Sequence, residues 1–398
     1  MSNDSARSDV LVIGGGIGGL SAALALGRAG HRVRLTEQAT TFSEIGAGLQ
    51  LGPNAVRSFD RLGVWETLRD VAVTPSAGLI MDAVSGERLT RLDFGAPFLE
   101  RYGYPYVVAH RHDVLTALLD ACRALPNIVL ESGMRAESVT ETKHGAVVRY
   151  ENGEEIVSQL VVGADGIRSK TRLLHDDSEP LFTGHVAYRG TLPVDELKID
   201  FDRDDVLIWI GPGMHLVQYP VRGGDIYNQV AVIESTWHAQ GREDWGGKEE
   251  LYEAFDVACD FVKESLEIFS DNKRWPIFDR DPLASWSTEH TILLGDAAHA
   301  MRQYLGQGAC QALEDSLVLT QELSRHAERR DAFAAYEARR VEHTTKCQLT
   351  ARPWGDLWHT NDPMTRVLRD KFFKLRADDD YTELDWLYLD RVGPMTAA

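Results

Sequence analysis

Residues 10–37 constrain this chain more than any other stretch. Val10-Leu-Val-Ile13 is a short apolar run of the kind that forms a buried parallel strand. The glycine-rich segment Gly14-Gly-Gly16-Ile-Gly-Gly19 follows at once. Leu20-Ser-Ala-Ala-Leu-Ala-Leu26 then favours helix, and Gly30 closes it. A second strand begins at Val33 and leads to Glu37. The whole reads as a β-α-β unit with G-x-G-x-x-G between strand and helix. The first glycine permits a tight turn, the second lets backbone approach a pyrophosphate, and the third lets helix and strand pack closely. The helix N-terminus offers free N–H groups and a positive dipole end to phosphates. An acid at the end of the second strand accepts hydrogen bonds from a ribose diol and repels a 2′-phosphate. Gly14, Gly16, Gly19 and Glu37 are therefore candidate cofactor residues, for FAD or NAD rather than NADP. A merely structural glycine turn is the competing reading.

The rest of the chain has a different character. Residues 76–102 mix short strand-like pieces with turns. Residues 112–125 read as a helix, with Val114, Leu115, Leu118 and Leu119 at helical spacing. Residues 128–162 look like a β-meander with a hairpin signal at Asn152-Gly153. Residues 181–235, rich in β-branched and aromatic side chains, read as further strands. Thr291-Ile-Leu-Leu294 is another apolar strand, followed by glycines and a long helical stretch over 309–348. The expected fold is α/β, with a nucleotide-binding domain in three pieces (1–75, 103–180 and 276–350). A mostly antiparallel β-sheet domain (76–102 and 181–275) would be inserted between them. A C-terminal helical, aromatic segment (351–398) carries Trp354, Trp358, Trp386 and Tyr388, which are expected to pack on the body or a partner subunit.

Charge and cysteine usage narrow the function. The net charge of -19 repels nucleic-acid phosphates and anionic membrane surfaces, so neither is an expected partner. An anionic substrate would need local positive charge against that background. Cys122, Cys259, Cys310 and Cys347 are widely spaced and form no CxxC pair, which fits free thiols in a reducing cytoplasm. His110 and His112 lack further ligands nearby, so no metal site is expected. The opening residues 1–9 are polar, and no apolar run approaches the roughly 20 residues of a membrane span. A cytoplasmic location is expected.

Two later segments separate FAD from NAD. One is Gly163-Ala-Asp165-Gly166-Ile-Arg-Ser169-Lys-Thr-Arg172; the other is Gly295-Asp296-Ala-Ala-His299, with Gly306-Gln-Gly308 behind it. With the N-terminal glycines they resemble, in order and spacing, the three fingerprints of the class A flavoprotein hydroxylases, the para-hydroxybenzoate hydroxylase-like family. That resemblance implies a Rossmann-like FAD-binding domain of the GR2 type and tightly bound, non-covalent FAD. It also implies NADH or NADPH as a transient co-substrate, in keeping with the absence of a second Rossmann glycine loop. It places Asp296 on the ribityl chain and Gly306 and Gly308 against the flavin ring. The helix near Ala309 would aim its positive end at the flavin pyrimidine. Arg111 would contact FAD, and Asp165 would sit by the cofactor with Arg172 bracing the turn. For Asp165 and Arg172 a structural salt bridge is an equal alternative.

Within the family, three stretches resemble the branch acting on 3-hydroxybenzoate, with the salicylate-acting branch next to it. They are Gly211-Pro-Gly-Met-His215-Leu-Val-Gln-Tyr219-Pro220, Tyr102-Gly-Tyr-Pro-Tyr106, and His299-Ala-Met-Arg-Gln303-Tyr304-Leu305. Most of the family has proline where Gln303 stands, and Ala300 departs from the usual proline. The chemistry implied is trapping of O2 by reduced flavin as a C(4a) hydroperoxide, whose terminal oxygen is attacked by a phenolate. A base that removes the phenolic proton speeds that step. His215 is the candidate base. Gln303 would orient the phenol oxygen, and Tyr106 and Tyr219 would hold the carboxylate. His215 and Tyr219, four apart on a strand, face one side. The expected partners are a small aromatic substrate and O2, and a homodimer is compatible with the pattern. The rival readings are decarboxylating salicylate hydroxylation, an FAD oxidase or dehydrogenase that never hydroxylates, and a non-catalytic flavin sensor.

Overall fold

The computed structural model describes residues 7–43, 47–197, 204–269 and 274–394. Residues 1–6, the part of the expected strand region at 198–203 and the part of the expected β-sheet domain at 270–273 lie outside that set. The apolar N-terminal run becomes the strand Arg7–Ile13, buried along its apolar core, and the alanine-rich segment becomes the helix Ile17–Arg28. Five strands pair in parallel in the order Ile128–Glu131, Val33–Thr36, Arg7–Ile13, Glu155–Gly163, Thr291–Leu293. The helices Ile17–Arg28, Arg111–Arg123 and Gly308–Arg325 cover this sheet. This is the Rossmann-like arrangement expected from the glycine motif.

The strand Glu155–Gly163 does two jobs. Its first half pairs antiparallel with Gly145–Tyr150, which in turn pairs with Ala136–Thr142. Its second half pairs parallel with Thr291–Leu293 on that same edge, while its other edge pairs parallel with Arg7–Ile13 from Val157 to Gly163. The meander expected over 128–162 is therefore only partly present. Ile128–Glu131 leaves it and pairs parallel with Val33–Thr36, because its apolar Ile128 and Leu130 join the main core instead.

A second sheet has the order Arg274–Asp279, Leu181–Pro193, Ile226–Glu234, Met214–Val221, Val206–Gly211, Ala77–Asp82, Arg88–Asp93. All its pairings are antiparallel except Val206–Gly211 with Ala77–Asp82. The helical region expected to end at 348 is two helices, Gly308–Arg325 and Arg329–Trp358. The second continues through Pro353 to Trp358, past the boundary drawn at 351. Its buried side, including Ala351, Gly355 and Trp358, holds it to the body beyond that point.

Candidate active site

The period of the second sheet decides what its strands present. On Met214–Val221, Met214 and Leu216 pack into one apolar core. His215, Val217 and Tyr219 face the other way and line a cavity of about 1390 Å³. One register row crosses the sheet as Arg189, Val230, Val217, Ile208 and Ile80, and all five line the same cavity. Gln303, opening the 3-10 turn Gln303–Leu305, and Tyr106, in a loop, border it too, so the structure brings together all four side chains singled out for the aromatic slot.

The cavity continues to the first sheet, where Gly14, Gly16, Glu37, Arg111, Asp165, Asp296, Gly306 and Gly308 line it. Gly14 has φ +107°, and a Cβ there would lie 2.3 Å from the Ala164 carbonyl oxygen. A Cβ on Gly19 would lie 1.9 Å from the Gly14 carbonyl oxygen. Only bare backbone permits that crossing. Glu37 accepts the Gly15 N–H at 2.6 Å on one carboxylate oxygen and the Ala39 N–H at 2.8 Å on the other. That fixes the carboxylate while leaving lone pairs for ribose hydroxyls. Asp296 opens a short turn of helix and is exposed to the cavity. Gly306 is left-handed, and the 18-residue helix Gly308–Arg325 begins just behind it. Phosphate-binding backbone at one end and a helix start at the other fit a long dinucleotide that ends beside the aromatic slot.

The Asp296 loop is held from beneath by buried charge. Asp315 accepts the Gly295 N–H at 3.0 Å, pairs with His299 Nε2 at 2.6 Å, and receives Arg340 Nε at 2.6 Å. Burial pushes Asp315 upward, but His299 and Arg340 outweigh it and hold it at about 2. Arg172 braces the same loop from the side. Only 1% exposed, it donates to the carbonyls of Ala297 and Ala298 at 3.2 and 3.0 Å and pairs with Asp176 at 2.9 Å. The salt bridge is thus Arg172–Asp176, not Arg172–Asp165. Asp165 instead closes its own turn, accepting Ser169 Oγ, Lys170 N–H and Thr171 N–H. Burial raises Asp165 despite those bonds. Replacing Arg172 by Met strips the carbonyls of Ala297, Ala298 and Asp281 of their donor and removes the ion-pair partner of Asp176. The expected loss is about 2–4 kcal/mol, read as a lower unfolding midpoint together with weaker FAD retention.

Five residues depart from their expected parts. The Tyr106 hydroxyl already donates to Gln50 Oε1 at 2.7 Å, and its ring stacks on Phe94 at 4.4 Å. It contributes a wall rather than a free donor. The residues expected only to pack, Trp354, Trp358, Trp386 and Tyr388, all border the cavity. Arg189, half-buried on the strand Leu181–Pro193, brings a positive charge to the cavity beside the aromatic slot. Its position five residues after Gly184 in a β-rich stretch carried no motif to single it out.

His215 is 1% exposed, and its Nδ1 lies 2.6 Å from His359 Nε2. Tyr304, Trp358 and His359 enclose its ring at 5.5, 5.4 and 4.9 Å. Gly355 makes room for Tyr304, since a Cβ there would lie 2.2 Å from that ring. Burial pushes His215 down to about 3, with His185 adding to the effect. Burial also drives His359 well below its ordinary value and takes His343, near Arg340, to about 3. An unfolded chain protonates such residues near pH 6.5, while the folded chain resists doing so. Stability is then full above pH 6.5 and falls as the pH drops below it. Each residue contributes a loss of about 2 kcal/mol by pH 5. Urea midpoints measured between pH 7 and 5 should fall steadily; a flat profile would contradict these buried neutral imidazoles.

Among the described residues, no group of three or more His, Cys, Asp or Glu is placed to hold a metal ion, and no helix is long and apolar enough to cross a membrane. Cys122, Cys310 and Cys347 are buried and Cys259 half-buried, all as free thiols.

A glycine loop, a ribose acid, a braced second loop and a helix start around one elongated cavity define a dinucleotide flavoprotein. The chain belongs to the FAD-binding-domain family, whose model matches residues 7–349. More particularly, it is 37% identical over 399 residues to a 3-hydroxybenzoate 6-hydroxylase of Polaromonas naphthalenivorans, covering 99% of this chain and 98% of that one. It is 34% identical over 384 residues to the 3-hydroxybenzoate 6-hydroxylase of Klebsiella oxytoca, covering 95% and 96%. A salicylate hydroxylase in complex with substrate superposes with a TM-score of 0.79 at 26% identity, covering 99% of both chains.

Proposed function

We propose that this protein is an FAD-dependent aromatic-ring monooxygenase converting 3-hydroxybenzoate, with NAD(P)H and O2, into 2,5-dihydroxybenzoate (gentisate). The observation that carries the reading is the convergence of His215, Tyr219, Gln303 and Arg189 on a cavity continuous with the dinucleotide cradle. Bound FAD supplies the electrophilic oxygen once NAD(P)H has reduced it. Everything else falls to the chain. Gly14, Gly16, Gly19, Glu37, Arg111, Asp296, Gly306 and Gly308 hold and orient the cofactor, and Arg172 and Asp165 keep the two loops in register. Arg189, on the same register row as Val217 and Val230, anchors the substrate carboxylate, with Tyr219 beside it. Gln303 orients the phenol oxygen, and His215 accepts its proton. Ionising the phenol raises electron density ortho and para to the oxygen, and attack at the para carbon gives the gentisate pattern. Trp358, Tyr304 and Tyr388 exclude water from the slot. The working location is the cytoplasm, and the assembly is a homodimer.

Two measurements test this directly. NADH oxidation against a panel of hydroxybenzoates should be fastest with 3-hydroxybenzoate, with the product identified by mass and NMR. Catechol and carbon dioxide from 2-hydroxybenzoate as the preferred reaction would move the protein to the salicylate-acting branch. Arg189→Met should raise the KM for 3-hydroxybenzoate by about 10–100-fold, the scale of one lost charge-assisted hydrogen bond. An unchanged KM would place the carboxylate elsewhere.

A further inference from the structure

The histidine at the aromatic slot is the first of a series. His359 caps the C-terminal end of the helix Arg329–Trp358, and its carbonyl accepts the Gly213 N–H at 2.8 Å. That bond ties the helix end to the turn leading into His215. His359 Nε2 meets His215 Nδ1 at 2.6 Å, whereas His359 Nδ1 is buried with no hydrogen-bond partner. The ring of His185 stands edge-on to His359 at 4.8 Å and is 8% exposed. Beyond it, Arg302, Glu234 and Asp356 supply the nearby charge, and Arg302 and Asp356 pair at 3.1 Å. Elsewhere the His215 ring meets the rings of Tyr304 and Trp358 and borders the cavity, and His185 is the titratable group beyond His359 that acts on it.

We propose that His359 is a positioning and proton-relay residue: it fixes the His215 tautomer whose Nε2 lone pair faces the phenol, and takes the Nδ1 proton as His215 accepts the phenolic one. The proposal rests on the reading of His215 as the base. The phenolic O–H bond breaks and an N–H bond forms at His215 Nε2. The His215 Nδ1–H bond breaks and an N–H bond forms at His359 Nε2. The His359 Nδ1 proton is released on the His185 side to solvent. No electrons change hands, and both imidazoles finish neutral. This removes a difficulty posed by the buried site. An imidazolium is strongly disfavoured where burial holds His215 at about 3. Burial disfavours the charged form of His359 as well, so the relay avoids the charge only because the two transfers and the release are concerted and neither ring is left cationic.

The test is a pH titration of holoenzyme saturated with 3-hydroxybenzoate, following phenolate absorbance and hydroxylation rate together. His359→Gln should keep FAD and bind 3-hydroxybenzoate within about threefold. Its bound phenolate at pH 7 should fall at least about tenfold, with the rate profile displaced to higher pH. Adding His359→Gln to His215→Ala should cost nothing further, since one residue acts through the other. His359→Phe is the harsher variant; if it fails to retain FAD, the glutamine variant decides. A His359→Gln profile that superimposes on the wild type overturns the relay. Wild-type enzyme that forms neither phenolate nor product from any hydroxybenzoate overturns the parent reading, and this proposal with it.

Discussion

His215→Ala should yield a yellow, FAD-loaded protein that hydroxylates 3-hydroxybenzoate about 10²–10⁴-fold more slowly, the range a positioned base contributes. FAD should stay because His215 lies on the second sheet, while the phosphate loop and the Asp296 loop belong to the first. NADH should still be consumed, because reduction needs no phenolate. Without an activated ring the reducing equivalents go to hydrogen peroxide, so oxygen uptake continues while product falls. Measuring peroxide and product in one reaction reads the coupling directly. Normal coupling would remove His215 from the chemistry and leave it a core histidine. His215→Gln is the companion variant: it can still donate a hydrogen bond to the phenol but cannot accept its proton, so it too should fail.

Gly14→Ala should give a nearly colourless protein. Three effects act together. The residue sits at φ +107°, a conformation costly for any side chain. The new methyl would lie 2.3 Å from the Ala164 carbonyl oxygen. Relief requires moving either the phosphate loop or the end of the strand Glu155–Gly163, which carries the next fingerprint at Asp165. Either movement withdraws N–H groups from the phosphates. The expected result is loss of most bound FAD on gel filtration and weak reconstitution, with far-ultraviolet circular dichroism largely kept. Full FAD content in this variant would mean that the cofactor does not approach the loop this closely.

What the sequence made legible was local. The glycine spacing, the apolar strand before it and Glu37 after it lie within 28 residues, and their geometry follows from chain connectivity alone. Period-2 alternation put His215 and Tyr219 on one face, and both line the cavity. What stayed hidden depends on partners distant in the chain. His359 lies 144 positions from His215, and no local signal marks a histidine at a helix end as the neighbour of one on a strand. Arg189 gains its meaning only from the register that aligns it with Val230 and Val217. Tyr106 looked available because no local signal shows that Gln50, 56 positions away in the chain, occupies its hydroxyl. The strand Ile128–Glu131 was placed in a meander because short apolar runs do not declare their partners. The boundary drawn at 351 falls inside a helix because packing of Ala351, Gly355 and Trp358 against the body carries that helix on to Trp358.

Oxygen from O2 is expected to enter the ring of 3-hydroxybenzoate. The most direct measurement is turnover under ¹⁸O-labelled dioxygen with NADH, followed by mass and NMR analysis of the aromatic product. The expected product is 2,5-dihydroxybenzoate carrying one labelled oxygen, formed in near-stoichiometric ratio to NADH consumed. NADH oxidation that yields only labelled hydrogen peroxide, with the aromatic recovered unchanged, would contradict it.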